Sequence, residues 1–350
     1  MNRLLQRTIQ GLGQVTALAT MACLPLMACA QAPRFEVLES HRLGGVGGWD
    51  YLSYDATTQR LFISRGTHVQ VVDAKDGRVV GDIADTPGVH GIAIATGLDK
   101  AYTSNGRDNS LTVFSPSTLS TIRKIATPEG IGPDFIAYDP ASRQVLAFNG
   151  KSKNATVVNV ADDRVVATIA LAGKPEAAVA DGRGLVFVDI EDTNALQVID
   201  SRAGKVTATW SLPGCDGPSG LALDAASRRL FVACGNRTMV VVDAESGKTV
   251  STLGIGDGPD AAVFDADLHL AFSSQIDGSL SIVQGQGAAN YRVVQSLPTA
   301  RGARTMALDA EHHRVFLVSA DFEAPAAGSA SKRDTVKPDS FKLLIVGEKH

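Results

Sequence analysis

Short apolar runs, each cut off by Gly, Asn, Asp or Ser, recur along nearly the whole chain. The stretch from Gly214 to Gly256 shows the pattern most clearly. Its apolar runs are Leu221 to Leu223, Leu230 to Ala233, Met239 to Val242 and Thr249 to Ile255. Asp224 to Ser227, Gly235-Asn236 and Glu245 to Gly247 separate them. Runs of this length, rich in Val, Ile, Leu and Phe and bounded by turn formers, predict β-strands joined by tight turns. Four strands in about 42 residues make one antiparallel sheet.

The same unit repeats seven times. Its first strands open on Asp50, His90, Asp134, Glu176, Ser219, Asp260 and Arg304, at successive spacings of 40, 44, 42, 43, 41 and 44 residues. Five residues beyond each stand Asp55, Ala95, Asp139, Asp181, Asp224, Asp265 and Asp309, an aspartate in all but one. A period of 40 to 45 residues with four strands per unit predicts an all-β, seven-bladed β-propeller of four-stranded antiparallel blades. The seventh unit carries only three strands of its own, ending in Phe341 to Val346. A lone strand from Arg34 to Leu43 is expected to supply the missing outermost one and close the ring. The Ala-, Ser-, Pro- and Asp-rich stretch from Asp321 to Ser340 breaks the rhythm. It predicts a mobile surface loop, with a lid or partner-docking role as the sharper alternative.

The segment LFVACGNRTMVVVDAESGKTVSTLGIGDGPDAAVFD resembles the YVTN β-propeller repeat, with its "VID"-type third strand, its Ser-Gly-Lys turn and its Gly-x-x-Pro-Asp approach to the next strand. The resemblance spans roughly Val46 to Val346. It implies the propeller fold, in a family that includes exported YncE-like and lactonase-like members, and it leaves the activity open. Blade one departs from the pattern with Gly44 to Gly48, and blade seven carries Arg304 where other blades carry an acid.

Composition changes this picture little. The 350 residues are 44% hydrophobic and 20% charged, with 34 glycines, as suits a turn-rich globular protein. Met1 to Ala30 reads as an export signal: Arg3 and Arg7 precede an apolar run from Val15 to Met27, and Ala28-Cys29-Ala30 offers a cleavage site. Leu26-Met27-Ala28-Cys29 also resembles a lipobox, which makes Cys29 a candidate lipidation site and a lipid anchor the one route to a membrane. The mature domain is then 31–350, periplasmic or secreted, with the membrane-anchored lipoprotein as the alternative. Losing two of 33 basic residues leaves 31 against 37 acidic, a net charge of -6. An acidic body is a poor partner for nucleic acid. In an oxidising compartment Cys215 and Cys234 are candidates for a disulfide, since pairing Asp224 with Arg229 puts Ser219 opposite Cys234.

Candidate chemistry concentrates at the starts of the first strands, which line the channel of a propeller. Asp50, His90, Asp134, Glu176, Asp260 and Arg304 are expected to converge on one mouth. Two roles are open to them: accepting N–H bonds from their own turns, or holding a polar ligand or a cation. Asp50, His90, Asp134, Glu176 and Asp260 are the ligands available to a divalent cation, the only cofactor suggested. Trp49 is placed either to stack on a ligand or to pack between blades. One arginine against four acids predicts a net negative mouth that prefers a cation, an amine or a polyhydroxylated molecule. The repeat aspartates are explained by Asx turns, Asn105-Gly106 and Asn149-Gly150 by type I′ hairpins, and His312-His313 as a solvated pair. Haem, zinc-protease, P-loop and serine-elbow motifs are missing from the sequence. Two functional readings are open. The first is a non-catalytic binding or scaffolding propeller for a small polar or cationic ligand or an envelope protein. The alternative is a metal-dependent, lactonase-like hydrolase.

Overall fold

The second and third strands of each repeat are apolar at consecutive positions, as strands are when both faces are covered. The computed structural model describes residues 33–45, 47–287, 289–324 and 334–349. Within them, seven four-stranded antiparallel sheets form a ring, and the first strands of neighbouring blades touch all the way round. Those first strands are Leu52–Asp55, Val89–Ala95, Pro133–Asp139, Pro175–Ala180, Pro218–Asp224, Pro259–Asp265 and Met306–Asp309. The export signal and Cys29, like the centre of the 321–340 excursion, lie outside the described residues.

Among the described residues seven hydrophobic clusters lie one in each gap between blades. Leu61, Phe62 and Ile63 show how one strand serves two gaps. Leu61 and Ile63 pack toward blade seven and Phe62 toward blade two, and all three are fully buried. Each side chain of that size contributes about 1.5–3 kcal/mol by leaving water. Outer strands cover a core on one side only and alternate accordingly. In Lys205–Ser211 every second residue is exposed, and Trp210 turns inward onto Phe187, 6.0 Å away.

The ring closes in blade seven. Phe35–Arg42 pairs antiparallel with Lys342–Glu348 and completes a sheet whose inner strands are Met306–Asp309 and Arg314–Ser319. Phe35 is buried edge-on against Phe272 of blade six at 5.1 Å. Gln295, on the outer strand of blade six, accepts from Phe35 N at 3.0 Å and donates to Phe35 O at 2.7 Å. The N-terminal strand is thus fastened to both last blades.

On the face opposite the candidate mouth, the repeat aspartates cap the turns between first and second strands. Asp139 accepts from Ala141 N and Ser142 N, and Asp224 from Ala226 N and Ser227 N. Three of them also accept from the following blade: Asp139 from Ser201, Asp181 from Arg228 and Asp265 from His313. That contact corrects the reading of His312-His313 as a solvated pair. His312 bonds to Asp309 at 2.8 Å and His313 to the buried Asp265 at 2.8 Å.

Two other local expectations are corrected. Gly106 and Gly150 do not take positive φ, so neither Asn-Gly pair forms a type I′ turn. The loops are longer, and the left-handed residues are Asn109 and Lys153. Asn105 and Asn149 are instead fully buried, each donating its amide across its own hairpin to Thr112 and Thr156. Within the 321–340 excursion, Phe322–Glu323 and Thr335–Val336 pair as a two-stranded ribbon, which replaces a structureless loop at its base.

Cys215 and Cys234 are joined by a disulfide, with Cα atoms 5.4 Å apart. The register differs from expectation: Asp224 does pair with Arg229, but Pro218 rather than Ser219 stands opposite Cys234. A bulge at Ser219 inserts the extra residue.

Two outcomes are expected from this architecture. Removing residues 33–43 uncovers the edge of blade seven, and replacing Phe35 by Ala leaves a cavity against Phe272. The point change should destabilise by about 3–5 kcal/mol in denaturant titration, and unchanged melting of the deletion would disprove closure by this strand. Replacing Cys215 and Cys234 together by Ala should cost about 3 kcal/mol, as expected for a bond closing a loop of this order. Free-thiol titration of the unreduced, unfolded domain should find neither thiol.

Candidate functional site

In blades three to six the first strand opens on a proline, Pro133, Pro175, Pro218 and Pro259, and proline suits a strand's first position because no ladder donor is lost there. The backbone just past that position is irregular in a repeated way. In blades two to six the register slips immediately after the first residue, between Val89 and Ile92, Pro133 and Ile136, Pro175 and Ala178, Pro218 and Gly220, and Pro259 and Ala261. His90, Asp134, Glu176, Ser219 and Asp260 all fall inside these slips. A bulge puts two residues opposite one and re-aims a side chain, which is how polar groups in a buried strand reach the channel mouth. Asp50 and Arg304 stand two residues ahead of their strands and complete the ring from blades one and seven.

Six of the seven expected side chains line one basin of about 350 Å³: Asp50, His90, Asp134, Glu176, Asp260 and Arg304. The charges alternate around it. His90 Nδ1 lies 2.7 Å from Asp50 and 3.6 Å from Asp134. An ionised carboxylate has no proton to give, so Nδ1–H is the donor to Asp50. Arg304 lies 2.6 Å from Asp260 through Nε, an ion-pair contact without hydrogen-bond alignment, and 3.6 Å from Asp50 through Nη2. Lys174, which the repeat pattern does not mark, stands 3.0 Å from Glu176 and also holds Glu191. The simple count of one cation against four acids is therefore corrected: each acid of the ring faces a base. Ser219 is turned away, its hydroxyl donating to Pro259 O at 2.7 Å, so blade five leaves a gap in the charges.

Trp49 lies at the rim of an adjoining basin, but its indole is engaged by Phe341 and Phe322, with centroids 5.3 and 6.2 Å away. The structure thus places it in packing at the ring closure. Arg65, another residue the sequence did not single out, is buried beneath this corner. It stacks on Phe341 at 3.7 Å and donates to Gly44 O and Gly48 O, so it fixes the glycine-rich approach to Asp50. Below the charges, Tyr51 and Phe135 meet edge-to-face at 5.1 Å and floor the mouth.

Burial dominates the electrostatics. It pushes Glu176 up to about 7, with Asp134 adding repulsion and Lys174 opposing. It pushes Asp260 up to about 6 against the pull of Arg304, and it raises Asp134 against His90. His90 is raised chiefly by its bond to Asp50, and burial opposes. Asp189, fully buried across from the Glu176 bulge with neither oxygen hydrogen-bonded, is raised far above the carboxylate range by burial and by Glu176. It is held as the neutral acid.

These shifts set an unusual pH dependence. An acid whose folded value is raised contributes stability below its unfolded value and loses it as pH rises through the folded one. The raised His90 acts in the same direction. The unliganded protein should therefore lose stability between about pH 4.5 and pH 7, with about 3 kcal/mol from Glu176 alone. Urea titrations at pH 4.5 and pH 8 should show the fall, and Glu176→Gln should reduce it. A wild type that gains stability over this interval, with the gain unaltered by Glu176→Gln, would contradict the assignment.

No family model matches the sequence. The chain is 24% identical over 185 residues to the proteins called "Uncharacterized protein YncE" of Salmonella typhi and Salmonella typhimurium. The match covers 51% of this chain and 52% of theirs, so it spans about half the length of these relatives. Among solved structures, a chain of a mitotic checkpoint complex superimposes with a TM-score of 0.73 at 12% identity, covering 100% of this chain and 99% of that one. A chain of Kuenenia stuttgartiensis hydrazine synthase gives a TM-score of 0.69 at 15% identity, over 84% and 96%. At such identities the likeness shows the fold alone. The chain is a seven-bladed β-propeller with distant sequence similarity to YncE.

Proposed function

We propose that this protein is an exported, non-catalytic binding propeller that takes a small polar ligand with a cationic group at the mouth of its channel. One observation carries the reading. Blades two, three, four and six use the same backbone bulge to aim His90, Asp134, Glu176 and Asp260 into a single basin, where burial raises Glu176 to about 7 and Asp260 to about 6. A bound cation would relieve the mutual repulsion that raises them. The absence of an assembled nucleophile supports binding over catalysis. His90 bonds to Asp50, and among the described residues no hydroxyl or thiol is hydrogen-bonded to its ring. The basic N-terminal segment with its apolar run, and the Cys215–Cys234 bond, support an oxidising compartment outside the cytoplasm. The repeat residues around Gly235 to Asp265 support kinship with YVTN-type propellers.

A second reading has one observation in its favour. Asp50, His90 and Asp134 each offer a donor atom within 4.8 Å of the others. Two carboxylates and an imidazole fit a divalent cation, which would supply Lewis acidity to a lactonase-like hydrolase.

The test is a thermal-shift screen of amines, polyols, Ca²⁺, Mg²⁺ and Zn²⁺, repeated on Asp134→Asn combined with Asp260→Asn. A saturable rise in melting temperature with an amine or polyol is expected in the wild type, and at least a tenfold weaker response in the double variant, worth about 1.4 kcal/mol. Binding undiminished in a folded double variant would return these residues to a structural role. Chelator-sensitive lactone hydrolysis, together with stabilisation by a metal, would favour the hydrolase.

A further inference from the structure

Two residues past the end of each second strand, every blade presents one residue to the rim of the mouth. In blade order these are Gly66, Arg107, Lys151, Asp192, Asn236, Asp277 and Asp321. The rim is therefore polarised, basic over blades two and three and acidic or neutral elsewhere. Its acids are already engaged. Asp192 accepts from Lys174 N and pairs with Lys153, Asp277 accepts from Asp257 N and Ser279, and Asp321 pairs with Lys342. Asn236 donates to Gly214 O.

The two cations are different. Among the described residues neither Arg107 nor Lys151 takes part in an ion pair, although the cations beside them do. Lys124 holds Asp108, the neighbour of Arg107, and Lys153 holds Asp192. Both stems are aimed by glycines. A Cβ on Gly88 would meet Arg107 Cβ at 2.8 Å, and one on Gly132 would meet Lys151 Cγ at 3.0 Å. Both glycines have positive φ, +69° and +65°. The two side chains thus lie across the approach turns of blades two and three, the turns that lead into His90 and Asp134. Arg107 and Lys151 line a basin of about 520 Å³ together with Asp50, His90 and Arg304, three of the groups that line the acidic mouth. One continuous depression therefore offers carboxylates at its floor and two uncommitted cations at one side.

We propose that the ligand is a zwitterion of amino-acid type, with its ammonium group among Asp134, Glu176 and Asp260 and its carboxylate on Arg107 and Lys151. The assignment rests on the mouth being the ligand site and specifies its chemistry. An amine alone leaves the rim cations unmatched, and a carboxylate alone meets the acids below. A molecule with both groups satisfies both ends and is oriented by them. The basin's size suits a single amino acid or a short peptide, within the range of about 300–1,000 Å³ usual for such sites.

The experiment uses calorimetry and thermal shift on the mature chain with the standard amino acids and a set of dipeptides. Each is matched by its decarboxylated amine and its deaminated acid. At least one zwitterion should bind saturably, roughly tenfold or more tighter than its amine, and its acid should not bind. Arg107→Gln with Lys151→Gln should bring the zwitterion down to the level of the amine, and Arg107→Glu with Lys151→Glu below it. These exposed positions leave the core untouched, and melting of the free variants checks that. Three results would overturn the proposal: no zwitterion binds, amine and zwitterion bind alike, or the rim variants leave the difference intact. Amine binding that disappears in Asp134→Asn with Asp260→Asn, without any gain from a carboxylate, would refute the zwitterion and keep the mouth. Failure of every amine, polyol and divalent cation would remove both.

Discussion

A four-stranded blade with apolar residues on both faces cannot bury either of them alone. Everything else in this protein depends on that constraint. Each gap between blades must be filled from both sides, so Leu61 and Ile63 serve one interface while Phe62 serves the next. The arrangement can end only by closing on itself, which requires Phe35–Arg42 to complete a sheet begun near the other end of the chain. Polar groups are pushed to the two faces of the ring. On one face they cap turns and tie blades together, as Asp139, Asp181 and Asp265 do. On the other they gather around the channel.

The gathering of six polar side chains in one basin at the channel follows from repetition. A bulge that blades two to six use to begin their innermost strands would, with an apolar residue, merely narrow the opening. With His90, Asp134, Glu176 and Asp260 it builds a ring of charges whose partners come from different elements: Lys174 from the turn before its own blade, Arg304 from the last blade and Asp50 from the first. Burial without full neutralisation leaves these acids poised, and it leaves Asp189 neutral beneath them. Rim and floor together then present both signs of charge within one depression.

Much of this was legible in the sequence because it depends on pattern. Strand positions, the number of blades, closure by the N-terminal strand and the convergence of six polar residues all derive from a period near 42 and from the residues that interrupt it. What escaped depends on backbone irregularity or on through-space partners. No residue type marks the one-position slip that sets Pro218, rather than Ser219, opposite Cys234. Asn105-Gly106 looks like a tight turn, yet the asparagine is needed as a buried hydrogen-bond donor across its own hairpin. Lys174 was visible in Gly-Lys-Pro-Glu, two residues before an expected site residue, but its meaning depends on Glu176 lying in a bulge. Arg65 and Asp189 sit in apolar strands and gain significance only from what surrounds them.

Closure by strands from opposite ends also governs how this chain can be made. Among the described strands, Phe35–Arg42 is the first to be synthesised and its partner Lys342–Glu348 the last. Domains generally fold as units during synthesis, and contacts between distant segments form only after the loop between them has closed. The intermediate blades can each form their local hairpins as they emerge, but their outward faces at the growing end stay bare until the final strand arrives. Until then the face of blade one that carries Leu61 and Ile63 lacks the blade seven residues, Phe316, Leu343 and Ile345 among them, that cover it. A newborn chain of this design must be kept from its neighbours for nearly the whole of its synthesis.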